Sequence, residues 1–226
     1  MTGEASSVDK IPDFVAGLRP QQKGAIAAFD ADGTLWRGDI FEDFCAWLVA
    51  EGELVQSDID GYESLLTEDE LAAIYKMMGF FKGFDEGRFN KLVSRFFAEH
   101  GPIWHPDVKS TLIYLAEQGF EVVILSASAR LLLEPAFVEL PVAKIIAMEF
   151  VSDERGVFTG ETPSPSPAGQ GKALLIHDEY GGLLEFAAGN SKLDADFMKL
   201  ATQGAWAYGP DAELAQIAQN LGWYST

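Results

Sequence analysis

Short apolar runs alternate along the chain with longer stretches of helical spacing, and the two patterns predict its secondary structure. Apolar runs rich in small and β-branched residues predict strands over 24–29, 120–125, 144–150, 184–188 and 204–208. Apolar positions three and four residues apart predict helices over 107–118, 131–140, 172–180 and 211–221, with a short helix over 12–18. Strands separated by helices in this way indicate a parallel sheet in an α/β fold.

The segment 40–101 breaks this alternation, because nothing in it has the pattern of a strand. Its apolar side chains recur at helical spacing, as at Phe41, Phe44 and Leu48, and glycines separate the helical stretches. We therefore predict an all-helical block of three or four helices, residues 39–102. It is inserted into an α/β core made of residues 1–38 and 103–226. Within the core, a turn at 153–156 predicts a small hairpin, and Asp107 is expected near the N-cap of its helix.

Composition and charge narrow the classes of protein. The 226 residues carry a formal net charge of -19, which repels nucleic acids and anionic lipid surfaces. The single cysteine, Cys45, excludes an internal disulfide and lies among apolar residues, where a core position is expected. The polar N-terminal segment, with residues 1–9 expected to be frayed, has no apolar signal region, and no run is long enough to cross a bilayer. We expect a cytoplasmic protein that acts on a small molecule, as a monomer or homodimer.

The candidate chemistry begins where the first strand ends, at Asp30 and Asp32. Ligands of open α/β sheets bind at the carboxyl ends of the strands. Two carboxylates placed there repel each other unless a divalent cation or another positive group lies beside them. Asp30 could act as a nucleophile and Asp32 as a general acid, while the backbone amides around Gly33 could hold phosphate oxygens. The alternative is that Asp32 and Gly33 only form a turn.

Further polar residues follow other strands. Ser126 ends the 120–125 strand, Lys172 opens a helix, and Asn190 and Asp194 follow the 184–188 strand. Each has a simpler explanation alone, since Ser126 could cap the next helix and Lys172 could be a solvated side chain. Because the carboxyl ends of parallel strands meet at one edge of the sheet, we expect all of them to converge with Asp30 and Asp32.

The ordered motifs resemble those of the haloacid dehalogenase superfamily: D-x-D-G-T at 30–34, Ser126 after an apolar strand, Lys172, and G-N-S-x-x-D at 189–194. The helical insertion after the first motif, the sequence 123–128 and the hairpin that leads to Lys172 resemble the phosphoserine-phosphatase-like branch. The resemblance covers residues 24–210. It implies a Rossmann-like, doubly wound parallel sheet with a helical cap, and Mg²⁺-dependent phosphoryl transfer.

The same resemblance implies roles for individual residues. Asp30 is the nucleophile, which forms an aspartyl phosphate, and Asp32 is the general acid and base. Lys172 neutralises the charge of the nucleophile and the phosphate. The phosphate and the substrate are contacted or supported by Ser126, Gly33, Thr34, Asp39 and Ala127. The metal ligands implied are Asp30, the backbone carbonyl of Asp32, Asn190 and Asp194. Asp39 has an equally good interpretation as the N-cap of the first cap helix.

The sequence departs from the family pattern in two places. Asn190 stands where the family usually has an acidic metal ligand, so one negative charge is lost at the metal site. Ala127 and Ser128 follow Ser126 where phosphoserine phosphatases typically have glycines. The early cap offers no obvious arginine for a substrate carboxylate, which leaves Arg88, Arg95 and Arg130 as candidates.

These observations predict a Mg²⁺-dependent phosphatase that hydrolyses a small phosphorylated metabolite. A phosphotransferase or phosphomutase would use the same aspartates. A binding protein weakened in catalysis by Asn190 is the alternative from a different class. Asp32 argues against dehalogenase chemistry, which dispenses with the second aspartate in this superfamily.

Overall fold

The computed structural model describes residues 11–226, except for the side chains of Asp58, Glu63 and Thr67. The frayed segment predicted over 1–9 lies outside the described residues. Within them, six parallel strands form one sheet in the order β3-β2-β1-β4-β5-β6. The strands are β1 (Ile26–Phe29), β2 (Glu121–Ala129), β3 (Lys144–Met148), β4 (Leu184–Gly189), β5 (Gly204–Ala207) and β6 (Tyr224–Ser225). The predicted α/β fold with a parallel sheet is confirmed.

Ten α-helices accompany the sheet in the described part of the chain. They are α1 (Asp13–Ala16), α2 (Ile40–Ala50), α3 (Gln56–Glu68), α4 (Glu70–Met77), α5 (Glu86–Glu99), α6 (Pro106–Glu117), α7 (Arg130–Phe137), α8 (Gln170–Tyr180), α9 (Ala195–Met198) and α10 (Ala212–Leu221). Short 3₁₀ turns cover Met78–Phe81 and Lys192–Asp194.

Both faces of the central strand β1 are buried, and its four residues alternate between two hydrophobic clusters. Ala27 and Phe29 join the larger cluster, which also contains Leu112 of α6. Ile26 and Ala28 join the other, which contains Ile176 of α8. Successive side chains of a strand point to opposite faces, so helices cover the sheet on both sides, as in a doubly wound fold.

Helices α2–α5 follow β1 directly and form an all-helical segment around an aromatic cluster. The Phe44 ring lies 5.6 Å from Phe89 and 5.3 Å from Phe96, between ring centroids, and Phe81 lies 5.0 Å from Phe89. Edge-to-face aromatic pairs of this kind add to the stabilisation from burial. Cys45 is buried in the same cluster, as expected.

The predicted hairpin forms and contacts the helical segment. The Asp153 amide donates to the Val157 carbonyl at 2.8 Å. Beyond this turn, the Phe158 amide donates to the Phe84 carbonyl at 2.7 Å, and the Gly83 amide donates to the Phe158 carbonyl at 3.0 Å. The hairpin therefore ties the α4–α5 connection to the core through backbone hydrogen bonds.

Some element boundaries differ from the prediction. Strand β2 continues through Ser126 to Ala129, so the simpler reading of Ser126 as a helix cap does not hold. Helix α6 has His105 at its N-cap, because Pro106 is favoured at the first helical position, and Asp107 lies inside the first turn. Strand β6 was not predicted, because two residues are too short to display a strand period.

Candidate active site

A cavity of about 360 Å³ lies between the carboxyl ends of the central strands and the helical segment. Its core side is lined by Asp30, Asp32, Gly33, Ser126, Ala127, Ser128, Ala168, Lys172, Asn190, Ser191 and Leu193. Its other side is lined by Gly38, Asp39, Glu42, Tyr62, Leu66, Glu70, Ile74 and Met77. The structure therefore brings the predicted residues of three strand ends and one helix start to one place.

Asp30 is fixed at the tip of β1. Its amide donates to the Ala188 carbonyl of β4 at 2.9 Å. Its Oδ1 accepts a hydrogen bond from Lys172 Nζ at 2.6 Å, and its Oδ2 accepts one from Thr34 Oγ1 at 2.8 Å. Burial and the charge of Asp194 raise the pKa of Asp30 from 3.8 to about 7, and Lys172 offsets only part of this.

Lys172 bridges two carboxylates. Its Nζ lies 2.6 Å from Asp30 Oδ1 and 2.6 Å from Asp194 Oδ1, and the residue is 3% exposed. Burial alone would lower the pKa of the ammonium, but Asp194 and Asp30 more than offset this, so its pKa lies above the usual range. The solvated alternative for Lys172 is excluded by this burial.

Asp194 uses both of its oxygens within the protein. Its Oδ1 accepts from Lys172, while its Oδ2 accepts from the amides of Asn190 and Ser191, each at 3.0 Å. The close packing depends on Gly189, since a Cβ there would lie 2.6 Å from Asp194 Cβ. Asp194 is therefore placed to hold both Lys172 and the loop after β4.

Asp32 accepts hydrogen bonds on both carboxylate oxygens. Its Oδ1 accepts from Trp36 Nε1 at 2.9 Å and from the Ile40 amide at 2.8 Å. Its Oδ2 accepts from Ser128 Oγ at 2.7 Å and, more distantly, from Ser126 Oγ at 3.4 Å. Burial raises the pKa of Asp32 despite these donors.

Gly33 allows Asn190 to approach the first motif. A Cβ on Gly33 would lie 2.0 Å from Asn190 Nδ2, and the backbone of Gly33 is left-handed, with φ +74°. Asn190 Oδ1 lies 3.2 Å from Thr34 Oγ1, the hydroxyl that also contacts Asp30. The amide oxygen of Asn190 and the carboxylate of Asp30 therefore share one hydroxyl partner.

The oxygen atoms of Asp30 and Asn190 are of the kind that a divalent cation would need as ligands. Among residues 11–226, no three His, Cys, Asp or Glu side chains form a group that could hold a metal ion. Asp30 and Asn190 nevertheless offer a carboxylate and an amide oxygen that share the Thr34 hydroxyl, at 2.8 and 3.2 Å. The family resemblance implies the backbone carbonyl of Asp32 as a further ligand. Hard cations such as Mg²⁺ take oxygen ligands of these kinds, so the donor set fits Mg²⁺ with one carboxylate.

The other predicted residues also have defined positions. Asp39 caps α2, because its Oδ1 accepts from the amides of Phe41 and Glu42 at 2.8 and 3.0 Å, and it also lines the cavity. Its pKa lies well above the usual range, chiefly through burial and then through Asp32 and Glu42. Ala127 lines the cavity next to Ser126.

The three arginines proposed for an anionic substrate group are not at the site. Arg88 pairs with Glu53 at 2.8 Å, Arg95 pairs with Glu51, and Arg130 pairs with Glu149 and Glu134. None of these arginines lines the cavity. Lys172 is the one basic side chain among the described residues that do.

Several residues of the site were not predicted. Ser128 and Trp36 contact Asp32, and Glu42, Tyr62 and Glu70 line the cap side of the cavity. The position of Ser128 could have been predicted from its spacing to Ser126. Ser128 lies two residues after Ser126 on β2, and alternate residues of a strand share a face.

Comparison with known sequences identifies the family. The sequence model of the haloacid dehalogenase-like hydrolases matches residues 27–199. The chain belongs to this family. The match spans the first motif, the helical segment, Ser126, Lys172 and the loop after β4, so the predicted superfamily is confirmed. No curated protein sequence matches this member of the family.

Solved structures with the same fold include a protein of unknown function from Bordetella pertussis Tohama I. It is 18% identical, with a TM-score of 0.80, and the match covers 90% of this chain and 98% of that one. A HAD family hydrolase from Salmonella enterica serovar Typhi is 16% identical, with a TM-score of 0.67 and coverage of 92% and 69%. A phospho-aspartyl intermediate analogue of phosphoserine phosphatase is 16% identical, with a TM-score of 0.63 and coverage of 86% and 91%. At these identities the likeness establishes the fold.

No helix within residues 11–226 has the length and apolar character of a membrane span.

Proposed function

We propose that this hydrolase is a Mg²⁺-dependent phosphatase that acts on a small phosphomonoester. The observation that carries the proposal is the buried Lys172, which lies 2.6 Å from Asp30 in a cavity that also contains Asp32. A buried ammonium beside a carboxylate nucleophile offsets the charge that otherwise repels a phosphate. The free, buried Cys45 is compatible with a reducing compartment, so we propose a cytoplasmic enzyme, and a monomer or homodimer as its assembly.

Asp30 is the nucleophile in this proposal. An oxygen of its carboxylate attacks phosphorus, the bond from phosphorus to the leaving oxygen breaks, and Asp32 gives its proton to that oxygen. The product alcohol leaves and an aspartyl phosphate remains. Asp32, now ionised, takes a proton from a water molecule that attacks the aspartyl phosphate, which releases inorganic phosphate and restores both carboxyl groups.

Other residues of the cavity hold the phosphate group and the metal. Ser126 Oγ and the backbone amide of Ala127 are the proposed donors for the phosphate oxygens, while Thr34 orients Asp30 through its 2.8 Å hydrogen bond. The Gly33 amide already donates to the Gly38 carbonyl at 2.9 Å, so Gly33 contributes its left-handed backbone and not a donor. Asp30, Asn190 Oδ1 and the Asp32 carbonyl would hold Mg²⁺, and Asp194 supports them indirectly. When bound, Mg²⁺ would neutralise negative charge on the phosphate oxygens.

The leaving-group side of the cavity favours a neutral or positively charged alcohol. Asp39, Glu42 and Glu70 line it together with apolar side chains, and no described arginine reaches it. The second oxygen of Asp39 accepts no hydrogen bond from residues 11–226. A substrate carboxylate would meet these acids without a cationic partner, which costs free energy.

The central test is the hydrolysis of p-nitrophenyl phosphate with Mg²⁺ and with EDTA, by the native protein and by Asp30→Asn. We expect turnover that needs Mg²⁺ and is lost in the variant, because the amide cannot form the aspartyl phosphate. Turnover that survives in Asp30→Asn would refute the proposed nucleophile. No turnover by the native protein at millimolar Mg²⁺ would favour a binding role instead.

The substrate preference is tested with two phosphomonoesters that differ by one carboxylate. We expect kcat/KM for O-phosphoethanolamine to exceed that for O-phosphoserine by about tenfold or more, which is ~1.4 kcal/mol. Glu42→Gln should narrow the difference, whereas Glu68→Gln, at a residue that does not line the cavity, should leave it unchanged. A preference for O-phosphoserine would contradict the assignment.

A further inference from the structure

The two oxygens of the Asp32 carboxyl have partners of different kinds. Oδ1 accepts from Trp36 Nε1 at 2.9 Å and from the Ile40 amide at 2.8 Å. An indole N–H and a backbone N–H can only donate, so both lone-pair positions of Oδ1 are taken. A proton on Oδ1 would have to displace one of these two donors and leave it unpaired in the interior.

The partners of Oδ2 are hydroxyl groups, which can donate or accept. Ser128 Oγ is the short contact, at 2.7 Å, and the residue is 2% exposed. Ser126 Oγ lies further away, at 3.4 Å, and already accepts a hydrogen bond from the Ser128 amide at 3.0 Å. The Ser128 hydroxyl can therefore satisfy Oδ2 both when it is ionised and when it carries a proton.

The two oxygens of Asp32 also face different parts of the protein, because only the partners of Oδ2 line the cavity. Ser126 and Ser128 line the cavity, while Trp36 and Ile40 do not. Oδ2 is thus the oxygen on the side where a substrate binds, and Oδ1 is the oxygen anchored in the protein.

We propose that Ser128 is a positioning residue for proton transfer, which together with Trp36 confines the Asp32 proton to Oδ2. The inference rests on the proposed function, in which Asp32 protonates the leaving oxygen. With a phosphomonoester bound, the Ser128 hydroxyl donates to the remaining lone pair of Oδ2. The proton on Oδ2 then points to the leaving oxygen and is transferred as the bond from phosphorus to that oxygen breaks.

The test separates proton donation from the other steps by varying the leaving group. Phenyl phosphate and p-nitrophenyl phosphate have similar shapes, but phenolate is the more basic leaving group and depends more on a proton donor. For Ser128→Ala we expect kcat with phenyl phosphate to fall about tenfold more than kcat with p-nitrophenyl phosphate, which is a part of the roughly 10²–10⁴-fold that a general acid contributes. KM should change little for either substrate. Ser128→Thr, which keeps a hydroxyl, should restore most of the lost kcat.

Two further variants show whether a lower kcat in Ser128→Ala comes from proton transfer or from a folding defect. Trp36→Phe removes one of the obligate donors from Oδ1 and should also lower kcat more for phenyl phosphate. Ser94→Ala removes a hydroxyl whose one hydrogen bond within the described residues goes to the Asn90 carbonyl in α5, and it should have no effect. Equal losses on both substrates in Ser128→Ala and Trp36→Phe would overturn the inference while leaving the phosphatase intact. A native protein that hydrolyses neither substrate would overturn the proposed function, and this inference with it.

Discussion

Replacing Lys172 by Met tests the charge balance on which the candidate site depends. Lys172 is 3% exposed and its Nζ lies 2.6 Å from carboxylate oxygens of both Asp30 and Asp194. Met keeps much of the volume and removes the charge, so two buried carboxylates lose their common partner. Breaking a buried ion pair in this way costs about 3–5 kcal/mol. For a chain of this length, that corresponds to a fall in Tm of roughly 6–20 °C.

The loss of folding stability in Lys172→Met should be larger at high pH than at low pH. The pKa of Asp30 is about 7 in the folded protein, against 3.8 ordinarily. Because Lys172 lowers this pKa, its removal raises the pKa further. Between the unfolded and folded pKa values the folded state binds the extra proton, so stability falls as the pH rises, by at most about 1.4 kcal/mol per pH unit for one group. Lys172→Met should therefore be destabilised more at pH 8.5 than at pH 5.5.

Urea unfolding followed by tryptophan fluorescence at these two pH values measures the effect. Lys199→Met is the matched control, because Lys199 forms an exposed pair with Asp196 at 2.9 Å and such pairs contribute about 0–1 kcal/mol. A Lys172→Met variant that unfolds within 1 kcal/mol of the native protein at both values would refute the reasoning. So would a loss that is larger at pH 5.5.

Three further substitutions probe other contacts of the site. Asn190→Asp adds a carboxylate beside Asp30, so isothermal titration should record Mg²⁺ binding about tenfold tighter, ~1.4 kcal/mol; unchanged affinity would contradict a metal ligand at this position. Gly33→Ala combines a left-handed backbone with a 2.0 Å overlap on Asn190 and should lose more activity and Tm than Gly38→Ala, whose φ of +73° has no neighbour within 4 Å; equal losses would show that the overlap is unimportant. Asp30→Asn removes a group with a pKa of about 7, so its unfolding free energy should fall less than that of the native protein between pH 5.5 and 8.5; parallel pH profiles would contradict this.

The parts of the fold that the sequence predicts are those set by local pattern. The run that ends in Phe29 is apolar throughout, and β1 is buried on both faces. Asp30 and Asp32 follow it directly, so their place at the carboxyl edge of the sheet could be inferred before any tertiary contact was known. The helical segment can also be predicted from the sequence, because its apolar residues keep the helical period over several turns.

The contacts that the sequence could not predict join residues far apart in the chain. The hydrogen bond from Ser128 to Asp32 depends on how the end of β2 meets the loop after β1, 96 residues away. Likewise, Arg88 and Arg95 could be named as cations of the cap, but their partners Glu51 and Glu53 are fixed by the packing of α5 against α2. Periodicity places a residue on a face and carries no information about which side chain from another element meets it there.

The neutral side chain of Asn190 affects the total charge that the site presents to the metal and to the phosphate in the proposed complex. Asp30 and Asp194 contribute two negative charges and Lys172 contributes one positive charge, so these three residues leave one negative charge facing a phosphomonoester dianion. Two like unit charges about 4 Å apart repel by ~4 kcal/mol at an effective dielectric constant of 20. In the proposed complex, Mg²⁺ would reverse the sign of this charge, so the phosphomonoester is expected to bind productively only when the metal is present. An aspartate at position 190 would attract the metal more strongly, but it would also add a negative charge beside the phosphate. If Asn190 is a metal ligand as proposed, it would lower the affinity for the metal and also weaken the repulsion of the substrate. For Asn190→Asp we therefore expect a lower Kd for Mg²⁺ and a higher KM for the phosphomonoester at saturating metal.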